Sequence, residues 1–86
     1  SEVMPVPGGV VIDGCDRVAM LRHDGQLLWQ MKGLFSGSFR SGNHFVVQMK
    51  KAGSTEVAIE IATGRAFISS QSTSHPIGRV AAAPGL

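Results

Sequence analysis

Thr55-Glu56-Val57-Ala58-Ile59-Glu60-Ile61 is the stretch on which the fold turns. Val57, Ile59 and Ile61 fall on one side of an extended chain, and Glu56, Ala58 and Glu60 on the other. Successive side chains of a strand point to opposite faces, so this period-two alternation with β-branched residues on one side marks a half-buried strand. Upstream, His44–Lys50 repeats the pattern, with Phe45, Val47 and Met49 opposite His44, Val46, Gln48 and Lys50. Leu34–Arg40 sets Phe35 and Phe39 against Ser36, Ser38 and Arg40, and Gln26–Met31 sets Leu27, Trp29 and Met31 against Gln26, Leu28 and Gln30. Arg17–Arg22 is apolar on both faces (Val18 and Met20, Ala19 and Leu21), which predicts a central strand. Gly9–Ile12 and Arg65–Ser70 complete the set as shorter strands.

The segments between these runs are turn-forming. Asp24-Gly25 and Thr63-Gly64 each separate two apolar runs and predict compact hairpins, the first suited to a type I′ turn. Asp13-Gly14-Cys15-Asp16, Arg40-Ser41-Gly42-Asn43 and Lys51-Ala52-Gly53-Ser54 supply further turns, with Met31-Lys32-Gly33 as a tight bend. The expectation is an all-β fold: a single antiparallel domain of about seven short strands, a meander forming a small sandwich or barrel. Residues 1–8 are expected as an extended N-terminal segment, 9–71 as the antiparallel β domain, and 72–86 as a flexible tail rich in Ser, Ala, Pro and Gly. No amphipathic helix is evident.

Arg17–Trp29 aligns with Glu56–Ile68 thirty-nine positions on, sharing Val, Ala and the turn glycine, Gly25 with Gly64. A two-unit internal repeat follows. The pattern of apolar strand, Asp-Gly or Thr-Gly turn, then a strand ending in an aromatic resembles the inner hairpin of quinoprotein-type β-propeller blades. His23-Asp24-Gly25-Gln26-Leu27-Leu28-Trp29 and Ala62-Thr63-Gly64-Arg65 are the stretches that carry the resemblance, which covers about a third of the chain. It implies four-stranded units stacked around a channel. Two units cannot close such a ring, which takes four or more blades, so no cofactor residues are carried over. A sandwich or small barrel of two similar three-stranded units accounts for the same pattern.

With 86 residues the chain has room for one domain, and with 43% hydrophobic and 16% charged residues it is a folding composition. No apolar run approaches the roughly 18 residues of a membrane-spanning helix. One cysteine excludes an internal disulfide. The start at Ser1 is compatible with a trimmed chain or a removed leader, which leaves the compartment open. Absence of Tyr weakens a recognition surface built on exposed aromatics. The net charge of +2 conceals an uneven distribution: residues 31–54 hold Lys32, Arg40, Lys50 and Lys51 with no acid, while residues 1–30 are net acidic.

Reactive constellations are missing. Cys15, His23, His44 and His75 have no zinc-type spacing, so no metal is expected. There is no Gly-x-Ser-x-Gly elbow and no phosphate-cradling glycine loop before a helix, so neither a catalytic residue nor a cofactor is expected. Cys15 stands between Asp13 and Asp16, a setting that disfavours a reactive thiolate.

Two binding readings remain. The first is a non-catalytic protein-interaction or assembly module, with another protein or a second copy as partner. Exposed strand edges recruit further strands, and Gly9–Ile12 and Arg65–Ser70 are the expected edges. Val10, Val11 and Ile12 are the candidate protein-binding edge. The second is a weak nucleic-acid or polyanion binder using Lys32, Arg40, His44, Lys50 and Lys51. That reading lacks a stacking platform, because Phe35, Phe39 and Phe45 are expected in the core.

Overall fold

A computed structural model describes residues 2–14, 16–50, 55–70 and 73–80. Cys15, Lys51 and the turn at 51–54 lie outside the described residues. The chain is all-β and antiparallel. Strands β1 (Glu2–Val6), β2 (Gly9–Asp13), β3 (Arg17–Arg22) and β4 (Leu27–Lys32) form one sheet in that order. Strands β5 (Phe35–Ser41), β6 (His44–Met49), β7 (Glu56–Glu60), β8 (Arg65–Ser70) and β9 (Thr73–Arg79) form a second. Both sheets are plain meanders, and only Gly33-Leu34 links them.

The two sheets share one core. Val11, Val18, Met20 and Trp29 from the first sheet pack with Phe35, Phe45, Val47, Val57, Ile59 and Ala66 from the second, and Val6, Ile61 and Val80 close the ends. Val57 and Ile59 are buried and Glu56, Ala58 and Glu60 are partly exposed, as the alternation requires. β3 is the interior strand its two apolar faces predict: Val18, Ala19 and Met20 are all buried. Val18 and Met20 from the first sheet and Val57 and Ile59 from the second point into the same core, as in a sandwich.

A side-chain hydrogen bond joins the sheets beside the β7–β8 turn. The Trp29 indole Nε1 donates to the Ile61 carbonyl at 2.8 Å, and Trp29 is only 1% exposed. Gly64 lies against this ring; its φ of +81° and the 3.0 Å separation of a hypothetical Cβ from Trp29 Cβ both require glycine. At the sandwich opening the Ser38 hydroxyl donates to the Asp13 carboxylate, again bridging the sheets.

Several expectations are corrected. Residues 2–6 are a paired strand on β2, and 73–79 form a strand on β8 where a tail was expected. The edges are therefore β1, β4, β5 and β9; β2 and β8 are interior. The Asp24-Gly25 hairpin is a three-residue loop, not a two-residue type I′ turn. Gly25 N–H donates to Arg22 O, Arg22 N–H donates to Gln26 O, and Gly25 has a φ of +88°.

Two β-bulges alter which side chains face the core. A register shift between Met20 and Leu21 pairs Met20 with Trp29 but Leu21 with Leu27, so Leu27 points outward and Leu28 packs against the core. A shift between Phe35 and Gly37 keeps Phe35 inside and turns Phe39 out, 47% exposed. An extra residue in one strand re-aims the side chains that follow it.

Candidate docking faces

Outside the core, each sheet presents a second face. On the four-stranded sheet, register and alternation place Val3, Ile12 and Ala19 in one row with Gln30, and Pro5, Val10, Leu21 and Leu27 in the next. Each of these pairs sits directly opposite its neighbour, the arrangement in which cross-strand side chains touch. Ile12, Ala19, Leu21 and Leu27 line a groove of about 420 Å³, rimmed by Asp16, Arg17 and Gln30. Val3 is 64% exposed at the β1 end. Arg17 and Lys32 stand opposite each other at one end of the same face.

This relocates the candidate protein-binding residues. Val10, Val11 and Ile12 are not an open edge: β1 pairs along the whole of β2 and occupies its hydrogen-bonding groups. Val11 is fully buried in the core, whereas Val10 and Ile12 contribute side chains to the outer face. Their apolar character is explained by a sheet with two apolar faces.

The five-stranded sheet has its own outward row. Phe39 on β5, Val46 on β6, Ala58 on β7 and Phe67 on β8 are successive cross-strand partners. His44 meets Phe67 edge-on, with ring centroids 6.3 Å apart. Polar positions flank the row: Gln48 beside Glu56 on one side, His44 beside Glu60 on the other. Gln48 Nε2 donates to Glu56 at 3.2 Å, and the Thr63 hydroxyl donates to Glu60 at 2.5 Å. The sequence reading missed this row because an uninterrupted alternation puts Phe39 in the core.

The basic residues of the middle third do not converge. Lys50 lies at the linker end of the β5–β6 hairpin, where its N–H donates to Leu34 O, and Lys32 ends β4 nearby. Arg40 and His44 lie at the other end, next to the Gly42-Asn43 turn and roughly 17 Å along the strands at 3.3 Å per residue. Arg40 shares Phe45's face and His44 shares Val46's, so even these two point to opposite sides. Glu56 and Glu60 sit on the face that His44 occupies. Lys51 is outside the described residues.

A smaller opening lies between the sheets, where Glu2, Asp13, Phe35 and Ser38 line a space of about 250 Å³. Its Asp13–Ser38 hydrogen bond leaves those groups already engaged. His23 is exposed in the β3–β4 turn. Among the described residues no three His, Cys, Asp or Glu side chains come together as a metal site, and no helix is long and apolar enough to cross a membrane. No family model matches the chain, and no curated protein or solved structure matches it either.

Proposed function

We propose that the chain is a non-catalytic protein-interaction module whose docking surface is the outer face of the four-stranded sheet. The carrying observation is that apolar face: six aliphatic side chains, Val3, Val10, Ile12, Ala19, Leu21 and Leu27, in two adjacent cross-strand rows around a 420 Å³ groove. An antiparallel sheet with one solvated face reads apolar in and polar out. This sheet reads apolar on both faces, the pattern of a sheet covered on both sides. A contiguous apolar patch rimmed by charged and polar residues is the usual composition of a protein-binding surface. The described core contains no buried polar or charged side chain of the kind that a desolvated catalytic group would supply.

The test is site-specific crosslinking in the native setting. A photoreactive residue at Leu27 is expected to capture a protein, and the same residue at exposed Asn43, in the β5–β6 turn, is expected to capture none. Equal or absent capture at the two positions refutes the docking surface.

A further inference from the structure

We infer that the chain pairs with a second copy of itself along the open edge of β4, antiparallel and two-fold, with Met31 at the axis. The contact is edge to edge and does not depend on the docking face proposed above.

A sheet edge carries unpaired N–H and C=O groups that recruit another strand unless something blunts it. Three of the four edges are blunted. Pro5 in β1 and Pro76 in β9 each leave a gap in the row of backbone donors. β5 runs beside β1, with Glu2 and Met4 facing Ser38, Phe39 and Arg40 across an opening of only about 120 Å³, so a strand added there meets β1. β4 has neither obstacle. It holds no proline or glycine, its bulge lies before Trp29, and from Trp29 to Gly33 its ladder to β3 is regular. Among the described residues no strand lies beyond it.

The ladder fixes which backbone groups of β4 are open. Gly33 N–H donates to Asp16 O at 3.0 Å. Hydrogen-bonded and non-hydrogen-bonded pairs alternate along an antiparallel ladder. Counting from Asp16 and Gly33, Val18 with Met31 and Met20 with Trp29 are bonded pairs, whereas Arg17 with Lys32 and Ala19 with Gln30 are not. Gln30 and Lys32 therefore turn their N–H and C=O groups away from β3, giving two donors and two acceptors on the open edge.

Those four groups select the register. An axis at Met31 sets Gln30 opposite Lys32 of the second copy and Lys32 opposite its Gln30, so every open group is bonded. An axis at Gln30 would instead require Leu28, the bulged residue, in the ladder. The side chains agree with the first choice. Gln30 and Lys32 lie on the outer face, so each lysine meets a glutamine amide and not another lysine. Towards the core Met31, partly buried, meets Met31 of the second copy, and a non-hydrogen-bonded pair brings the two Cα atoms to about 4.5 Å. The contact is isologous and closes at two chains. It fuses two four-stranded sheets into one of eight strands.

The experiment is sedimentation velocity of the full chain over a dilution series, with circular dichroism establishing that each variant is folded. The wild-type chain is expected to show a monomer–dimer equilibrium and nothing larger. Gln30→Lys places a lysine opposite Lys32 at two positions and is expected to weaken the dimer roughly tenfold. Adding Lys32→Glu to that variant sets opposite charges face to face and is expected to restore at least wild-type association. In a Cys15→Ser chain, Met31→Cys is expected to oxidise to a linked dimer well ahead of Asn43→Cys in the β5–β6 turn. If Met31→Cys does not fold, the charge exchange between Gln30 and Lys32 decides alone. A wild-type chain that stays monomeric to millimolar concentration overturns the inference. So does a dimer indifferent to Gln30→Lys, a double variant that fails to recover, or linkage at residue 31 no faster than at residue 43. Pairing of β4 with a strand of a different protein, beside a purified chain that is monomeric, also overturns it.

Discussion

Replacing Trp29 by Phe tests how the two sheets are held together, because it keeps an aromatic ring in the core and removes the bond across it. The indole N–H donates to Ile61 O at 2.8 Å in a site with 1% exposure. Phe has no donor, so the Ile61 carbonyl loses this partner in an environment that water does not reach. An unpaired buried polar group costs about 1–3 kcal/mol. The smaller ring also vacates space equivalent to about two carbon groups, which adds about 1–2 kcal/mol. The sum, about 2–5 kcal/mol, is large against a total stability of roughly 4–13 kcal/mol for a chain of this length. The assay is urea unfolding followed by far-ultraviolet circular dichroism, since the chain has one Trp and no Tyr and the variant has no strong fluorophore. The midpoint should fall with the slope unchanged. In a thermal scan Tm should drop by at least about 8 °C, at about 4–8 °C per kcal/mol. A loss below about 1 kcal/mol would refute the view that this bond and its ring clamp the sandwich.

Gly9→Ala should prevent folding or cost more than about 3 kcal/mol, because a Cβ there would lie 1.9 Å from the Leu21 carbonyl oxygen of the neighbouring strand; thermal unfolding reads this directly. Val80→Ala should cost about 2 kcal/mol, since Val80 is buried at the end of the core and its N–H donates to Gly64 O; denaturant midpoints measure it. Asp24→Ala should cost only about 0.5–1 kcal/mol, as its carboxylate accepts the Gln26 N–H on an exposed turn. Phe39→Asp should leave stability within about 1 kcal/mol of wild type, a small loss that a core phenylalanine would not show; calorimetry reads it.

Strand identity was legible wherever alternation ran unbroken, as in Glu56–Glu60 and His44–Met49, because a pleated backbone forces period two. β3 was legible as central because it is apolar on both sides. The end strands escaped for a specific reason: Pro5 in β1 and Pro76 in β9 read as interruptions, yet edge strands are where a residue without a backbone donor is tolerated. The faces of Leu27 and Phe39 were illegible because a bulge separates each from the core-facing Trp29 or Phe35 of its strand, and nothing in a list of residues announces the extra one. The basic residues looked clustered because neighbours in sequence lie at opposite ends of a hairpin once it folds back.

The single short connection at Gly33-Leu34 has a consequence for how the chain reaches this state. Every strand pairs only with its sequence neighbour, β1 through β4 on one side and β5 through β9 on the other. Each sheet is therefore a run of local hairpins, and the entropy of closing long loops enters only when the two halves collapse onto each other. That topology gives a β-sandwich a lower contact order than Greek-key relatives of its architecture, and so a folding rate on the fast side for an all-β domain. It also makes the halves separable in principle: two chains opening at residues 33 and 34 could each lend a sheet to the other and rebuild the same core twice.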